Sequence, residues 1–405
     1  FMTVKKYILF LISIACYVYI TQWGIVLYCL LGVLATIANG LISTRYGKPF
    51  SFMSVMLFIL GFGLVKANSA ILPIIGYSVF AFSGISFIVD QIKTKTRYSV
   101  IDIWLFLFFF PKMLAGPIVR IENFISVNNW NRISATQMYS GIKILIYAAF
   151  LKFIIADIVL GVSVNGVGIN LLLLSLIWGI RFYFDFYAYS LIAVGLGQIL
   201  GIRLPYNFNN PYGALSFRDF WQRWNMTLTL WLKDYIYIPF GGNKISRLRT
   251  WLNTIITFAI SGLWHGLSFP FIIWGLTHGI LVCMERTFIG SLDKFRLIRK
   301  VYGLTVIFIV MLLWQLFRLR NVEELREYCI CFSRITYFEP NLFVWLIFAI
   351  ALLCCIESKM VKKLIFSMGD SMGYVYGEVT FLAIMLMTLI LCPGSYTFNF
   401  FYFEF

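Results

Sequence analysis

An all-α protein threaded repeatedly through a membrane is the fold this sequence predicts, and three features predict it. Of its 405 residues 61% are hydrophobic and only 12% charged, against about 25% charged in an ordinary soluble domain. The mean hydropathy is +0.86. Apolar runs of helical length follow one another along the chain with short basic clusters between them, as bilayer spans and their loops do.

Taken in order, the runs fall near 7–21, 23–41, 51–65, 70–89, 100–118, 138–161, 169–187, 188–201, 250–265, 268–284, 301–317, 341–356 and 375–392. Several are shorter than the ~20 residues a straight crossing needs. The expectation is therefore about 11 crossings, with the remaining helices re-entrant or interfacial. One polytopic membrane domain, 1–405, is expected, with N-terminal helices at 1–99, a core at 100–285 and C-terminal helices at 286–405. The first run is followed by many others, so it reads as a retained span and not a cleaved signal. Basic residues on alternate loops put the N-terminus in the cytoplasm. Residues 321–334 read as an amphipathic surface helix.

The net charge of +16 does not point to nucleic acid. Lys and Arg sit in short clusters between apolar runs, such as Lys5–Lys6, Arg45 with Lys48, Lys244 with Arg247 and Arg249, and Lys359 with Lys362 and Lys363. Loops held on the cytoplasmic face against anionic lipid have this pattern. The eight cysteines include no C-x-x-C pair, so they read as small buried hydrophobes rather than a metal or disulfide framework.

Segments that cannot be simple spans carry more information. P-K-M-L-A-G-P-I-V-R at 111–120 puts two Pro, a Gly and a Lys in an apolar run, tolerable at membrane depth only where protein or water satisfies the freed backbone groups. R-F-Y-F-D-F at 181–186 places Arg181 and Asp185 four residues apart, a spacing at which they face each other on a helix. They serve either as an internal ion pair or as a substrate contact. The Pro and Asn content of 204–212 marks a loop.

Aromatic residues, charges and Gly concentrate between Ser216 and His278, and both histidines of the chain, His265 and His278, lie there. Polar groups kept at membrane depth are usually kept for function. G-D-S at 369–371 resembles a hydrolase nucleophile block, but no histidine follows it to act as its base; a loop with a helix cap is the better reading. Two histidines 13 residues apart with Pro270 between them do not make a zinc pair on one helical face. That leaves histidine as a general base. His265, between Gly262 and Gly266 and after Trp264, suits a narrow site for an acyl group, or is a hydrogen-bonded core residue. His278 reads first as structural support. Along 217–235 helical spacing puts Trp221, Asn225 and Leu228 on one side with Trp224 nearby. The Asn225 amide can orient a carbonyl or make a helix–helix hydrogen bond.

At these residues the sequence resembles the membrane-bound O-acyltransferase superfamily, and within it the bacterial alginate O-acetyltransferase-like branch. The resemblance rests on P-K-M-L-A-G-P-I-V-R at 111–120, Y-F-D-F at 183–186, N-F-N-N-P-Y at 207–212 and S-F-R-D-F-W-Q-R-W at 216–224. It continues through W-L-K-D-Y-I-Y-I-P-F-G-G-N-K at 231–244, S-G-L-W-H-G at 261–266, W-G-L-T-H-G at 274–279 and the aromatic end at 401–405. It implies a helical bundle around a central channel in the bacterial cytoplasmic membrane, with His265 catalytic. Asn225 stands where the superfamily has Asn or Asp and the branch more often has His. Arg181–Phe182 and Tyr187–Ser190 depart from the branch around Y-F-D-F. The implied donor is cytoplasmic acetyl-CoA, with no bound cofactor. The implied acceptor is a cell-surface polysaccharide or peptidoglycan sugar, reached through an extracytoplasmic acetyltransferase partner. On this reading Trp221, Trp224 and Trp264 wall the channel, Arg218 or Arg223 meets donor phosphates, and His278, Arg181 and Asp185 line the path. A D-alanyl transfer protein of teichoic acid synthesis shares the scaffold and the W-H-G histidine. A transporter or flippase would also use broken helices and buried charges.

Overall fold

The computed structural model describes residues 2–21, 24–67, 76–113, 115–126, 133–161, 164–292, 295–367 and 372–392, and among them there is no strand. The Gly369-Asp370-Ser371 block and the aromatic end at 401–405 lie outside the described residues. The helices are α1 (Met2–Thr21), α2 (Ile25–Leu41), α3 (Gly47–Ala67), α4 (Tyr77–Thr94), α5 (Val100–Phe108), α6 (Ile121–Ser126), α7 (Ala135–Ala149) and α8 (Gly168–Ile199). They continue with α9 (Phe217–Trp221), α10 (Met226–Leu232), α11 (Arg247–His265), α12 (Phe269–Leu292), α13 (Arg296–Leu313), α14 (Val322–Ser333), α15 (Pro340–Ile356), α16 (Lys359–Phe366) and α17 (Met372–Leu391). Among the described residues five helices are long and apolar enough to cross a membrane, or six if α15 and α16, bent by 49°, form one broken span.

The runs at 169–187 and 188–201 are one helix, α8, of 32 residues. No Gly or Pro falls near residue 188 to break it, and at about 48 Å it exceeds the hydrocarbon thickness unless tilted. α14 has no buried residue, in keeping with a surface helix. The cysteines differ from expectation. All eight are free, only Cys283 is buried, and Cys329, Cys354 and Cys355 are exposed, because their helices turn apolar faces outward.

The chain forms two compact units, one of residues 1–145 and 189–206, the other of 146–188 and 207–405. The first is built on aromatic edge contacts: Tyr17 to Tyr28 at 5.1 Å, Tyr28 to Phe80 at 4.7 Å and Phe80 to Phe108 at 5.2 Å. Several of its polar groups pair within it. Asn39 Oδ1 accepts from Gln91 Nε2 at 2.5 Å and from the Tyr98 amide at 3.0 Å. The proline-rich break after α5 begins as a single tight turn, Phe110–Lys112. The Phe110 amide donates to Ser13 Oγ (3.3 Å), and Lys112 Nζ reaches Ser83 Oγ (3.1 Å) over the Phe106 ring.

The second unit contains every candidate site residue, and its central feature is the α11–α12 hairpin. A Cβ on Gly262 would fall 2.3 Å from the Phe271 carbonyl oxygen, and one on Gly275 2.4 Å from that of Phe258. Backbones approach this closely only where a small residue intervenes. Gly262→Ala is therefore expected to cost about 1–3 kcal/mol, read as a lower thermal midpoint in detergent. Gly290→Ala, on α12 with nothing within 4 Å of the new Cβ, should leave the midpoint unchanged or raise it by up to about 1 kcal/mol. Equal midpoints for the two variants would contradict the close approach.

Candidate active site

The site is assembled from short helices held by side chains distant in sequence. α9 begins at Ser216, whose Oγ accepts from the Asp219 amide at 2.9 Å, a normal N-cap. A second acceptor comes from α12. The buried Glu285 carboxylate takes the Phe217 amide at 2.6 Å and the Arg218 amide at 3.2 Å, and the Tyr302 hydroxyl donates to it at 3.0 Å. One buried carboxylate thus receives three donors, which is what makes its burial tolerable.

The continuous helix expected over 217–235 is not formed. The chain breaks after Trp221 and restarts at Met226, with Asn225 in the left-handed region at φ 42°. Asn is among the few non-glycine residues that visit this region readily. The preceding loop fills the gap: Asn207 accepts the Met226 amide on its carbonyl (2.8 Å) and the Thr227 hydroxyl on Oδ1 (2.6 Å), while the Asn209 amide donates to the Arg223 carbonyl (3.0 Å). Trp221, Asn225 and Leu228 therefore do not share one helical face. Asn225 instead starts α10 as a buried residue, one position after Trp224. In the same loop the Tyr212 hydroxyl donates to the Gly179 carbonyl at 2.7 Å, and burial pushes its pKa up, so it stays protonated.

His265 is the last residue of α11 and only half-buried. Its ring lies 4.3 Å from Trp264, 4.7 Å from Phe317, 5.0 Å from Trp274 and 6.0 Å from Phe271. His278 is fully buried at mid-α12, 5.0 Å from both Trp221 and Trp274. Its Nδ1 accepts from Trp221 Nε1 at 3.4 Å. Trp224 packs on Trp314 at 4.6 Å, on Phe220 at 5.6 Å and on Phe182 at 5.9 Å. Trp221, Trp224, Trp264, His265 and His278 thus belong to one aromatic cluster, joined by Trp274, Trp314 and Phe317.

The charged candidates are placed differently. Arg218 is exposed, while Arg223 binds Asp219 through Nε at 2.7 Å. The ion pair expected between Arg181 and Asp185 is replaced by a longer-range one. Asp185 Oδ1 meets Lys152 Nζ at 2.5 Å; the same ammonium lies 3.0 Å from Asp157, which Arg181 approaches at 3.9 Å. Lys152 sits in a stretch of wide, π-type helix, Phe150–Val159, which turns Lys152 and Asp157 toward one another and toward α8. Helical spacing pairs neighbours in sequence and cannot anticipate a cation 33 residues away.

Sequence reasoning missed Lys152, Glu285, Trp274, Trp314 and Phe317. Lys152 had a signal, a cation inside an apolar run that also holds Lys143, the same argument that selected Asp185. Trp274 lies within the quoted W-G-L-T-H-G motif. Trp314 and Phe317 sit in an apolar run with nothing local to distinguish them from packing residues. Among the described residues no group of three His, Cys, Asp or Glu could hold a metal ion.

A half-covered imidazole thus ends a glycine-packed helix in an aromatic, multi-helical unit. The chain belongs to the membrane-bound O-acyltransferase family, whose model matches residues 2–319. It is 33% identical over 261 residues to the probable alginate O-acetylase AlgI of Pseudomonas aeruginosa, covering 62% of this chain and 50% of that one. It is 37% identical over 237 residues to the peptidoglycan O-acetyltransferase of Helicobacter pylori, covering 55% and 45%. A teichoic acid D-alanyltransferase of Bacillus subtilis is 30% identical over 236 residues, covering 52% and 58%. The chain spans about half the length of these curated relatives.

The Lys152 network yields a prediction. Lys152→Met leaves Asp185 buried without its cation and is expected to cost about 3–5 kcal/mol. Adding Asp185→Leu should recover most of that loss, because the uncompensated charge is then gone. Thermal midpoints of the single and double variants in detergent check this; a double variant no more stable than the single would contradict the pairing.

Proposed function

We propose that the chain is a membrane O-acyltransferase that takes acetyl from cytoplasmic acetyl-CoA and delivers it across the membrane to a hydroxyl of a cell-surface polysaccharide or peptidoglycan. The observation that carries this reading is His265. Of the two imidazoles it is the one left partly uncovered, at the end of α11 and edged by Trp264, Trp274 and Phe317.

In this mechanism His265 takes the proton of the acceptor hydroxyl as its oxygen attacks the thioester carbonyl. The C–S bond then breaks, and the proton passes to the departing CoA thiolate. In the relay form, the imidazole nitrogen itself receives the acetyl group and passes it to the acceptor. Asn225 orients the thioester and polarises its carbonyl. Trp221, Trp224 and Trp264 exclude water, and His278, Arg181 and Asp185 line the polar path. The exposed Arg218, with Arg223 near it, meets the donor phosphates.

The same reading places the chain in a bacterial cytoplasmic membrane, with about 11 crossings around a central channel and an extracytoplasmic acetyltransferase as partner. D-alanyl transfer from a carrier-protein thioester is the second reading. It is favoured by the 30% identity to the Bacillus subtilis relative and ranks below acetyl transfer because the acetylating relatives match at 33% and 37%.

CoA release by the purified protein in detergent tests the assignment. His265→Ala is expected to lower turnover about 10²–10⁴-fold. Asn225→Gly keeps the left-handed backbone available but removes the amide, and should lower turnover about 10²–10³-fold with the fold intact. Unchanged release in His265→Ala would sink the assignment and favour a transporter. Turnover only with a D-alanyl carrier thioester would select the second reading.

A further inference from the structure

Two buried donors near His265 have no acceptor. His278 and Trp274 lie one turn apart on α12, both 0% exposed. His278 Nδ1 accepts from the Trp221 indole at 3.4 Å. A neutral imidazole that accepts at Nδ1 carries its proton on Nε2. That Nε2–H meets no hydrogen-bond partner in the protein, and neither does the Trp274 Nε1–H. Buried polar groups left unmatched are rare in folded proteins and call for an explanation. Trp314 Nε1 and Ser268 Oγ are unmatched as well, but His278 and Trp274 share one helix one turn apart and both are donors, so the group that would satisfy them is an acceptor. An acceptor sugar hydroxyl fits poorly, because it brings a proton of its own and neither group can take it. A carbonyl oxygen brings lone pairs only. Trp274 connects this pair to the reacting centre, since its ring stands 5.0 Å from His265 and 5.0 Å from His278.

We propose that the Nε2–H of His278 and the Nε1–H of Trp274 bind the carbonyl oxygen of the acyl group in transfer, in addition to the Asn225 amide; the inference rests on His265 being the acyl-transfer residue. When the nucleophile adds to the carbonyl carbon, the C=O π pair moves onto this oxygen, and the two N–H groups hold the resulting negative charge. When the pair returns, the C–S bond breaks and the thiolate leaves with the proton that His265 held. Donors fixed on one helix need no reorganisation as the charge develops. The Trp221 indole acts one step back: it fixes the His278 tautomer, and Glu285 and Ser216 fix the helix that carries Trp221.

The test uses variants that keep ring volume and remove the donor, with the full chain in detergent. Trp274→Phe and His278→Phe are each expected to lower kcat for CoA release about 10²–10³-fold, with the KM for acetyl-CoA within about twofold. His278→Gln, whose amide can accept from Trp221 and still donate, should restore much of the rate. The second readout is the infrared carbonyl band of bound, carbon-13-labelled acetonyl-CoA, a ketone that cannot be cleaved. In wild type the band should shift to lower frequency than in water-free solvent, and in Trp274→Phe it should move back. Unchanged kcat per folded molecule in both Phe variants would overturn the inference and leave buried water as the occupant. So would an unshifted band in wild type that still releases CoA. Absence of CoA release from wild type itself would instead overturn the reading of His265.

Discussion

In the functional unit the backbones of α11 and α12 approach closely at three glycines, and the site depends on that approach. Gly262, Gly275 and Gly279 bring one helix backbone against the other, where any Cβ would collide with a carbonyl or a Cα. Helices in a bilayer gain little from burying apolar surface, since lipid is as apolar as they are; tight packing has to supply the attraction. That packing brings the end of α11, with His265, alongside the start of α12, which carries Phe271 and Trp274. It also leaves His278 no room for exposure. The difference in burial between the two imidazoles follows from where each sits along this hairpin.

Around the hairpin, several polar groups are held by partners distant in sequence. α9 is too short to be stable alone, and it is held at its start by Ser216 and Glu285 and after its end by Asn207 and Asn209. Lys152 lies between two carboxylates. Each arrangement supplies a partner to a buried polar group where water is scarce, although Asp185 Oδ2 keeps none. The unmatched donors on α12, Trp274 Nε1 and His278 Nε2, occur beside the partly uncovered imidazole of His265.

Much of this was legible in the sequence, though unevenly. The all-helical membrane class follows from composition and apolar runs, and His265 was singled out as a candidate because it is one of only two histidines, set between glycines. What could not be read depends on distance or on backbone. Asn225 breaks a helix through a left-handed conformation, which apolar periodicity does not register. Asp185 takes its partner from Lys152, a long-range pairing that overrides the local spacing with Arg181. Glu285 looks like the end of a span and is the anchor of α9. Trp314 and Phe317 gain meaning only once α12 and α13 are brought together. The run boundary near 188 was drawn where no breaker exists, so α8 continues through it.

Having only two histidines makes the central claim directly measurable. Diethylpyrocarbonate modification followed by peptide mass spectrometry can follow each imidazole separately while CoA release is assayed on the same sample. The account predicts that His265 is modified, that saturating acetyl-CoA protects it, that activity falls in step with its modification, and that His278 stays unmodified in the folded protein. Full activity after complete modification of His265, or inactivation that tracks His278 alone, would contradict it.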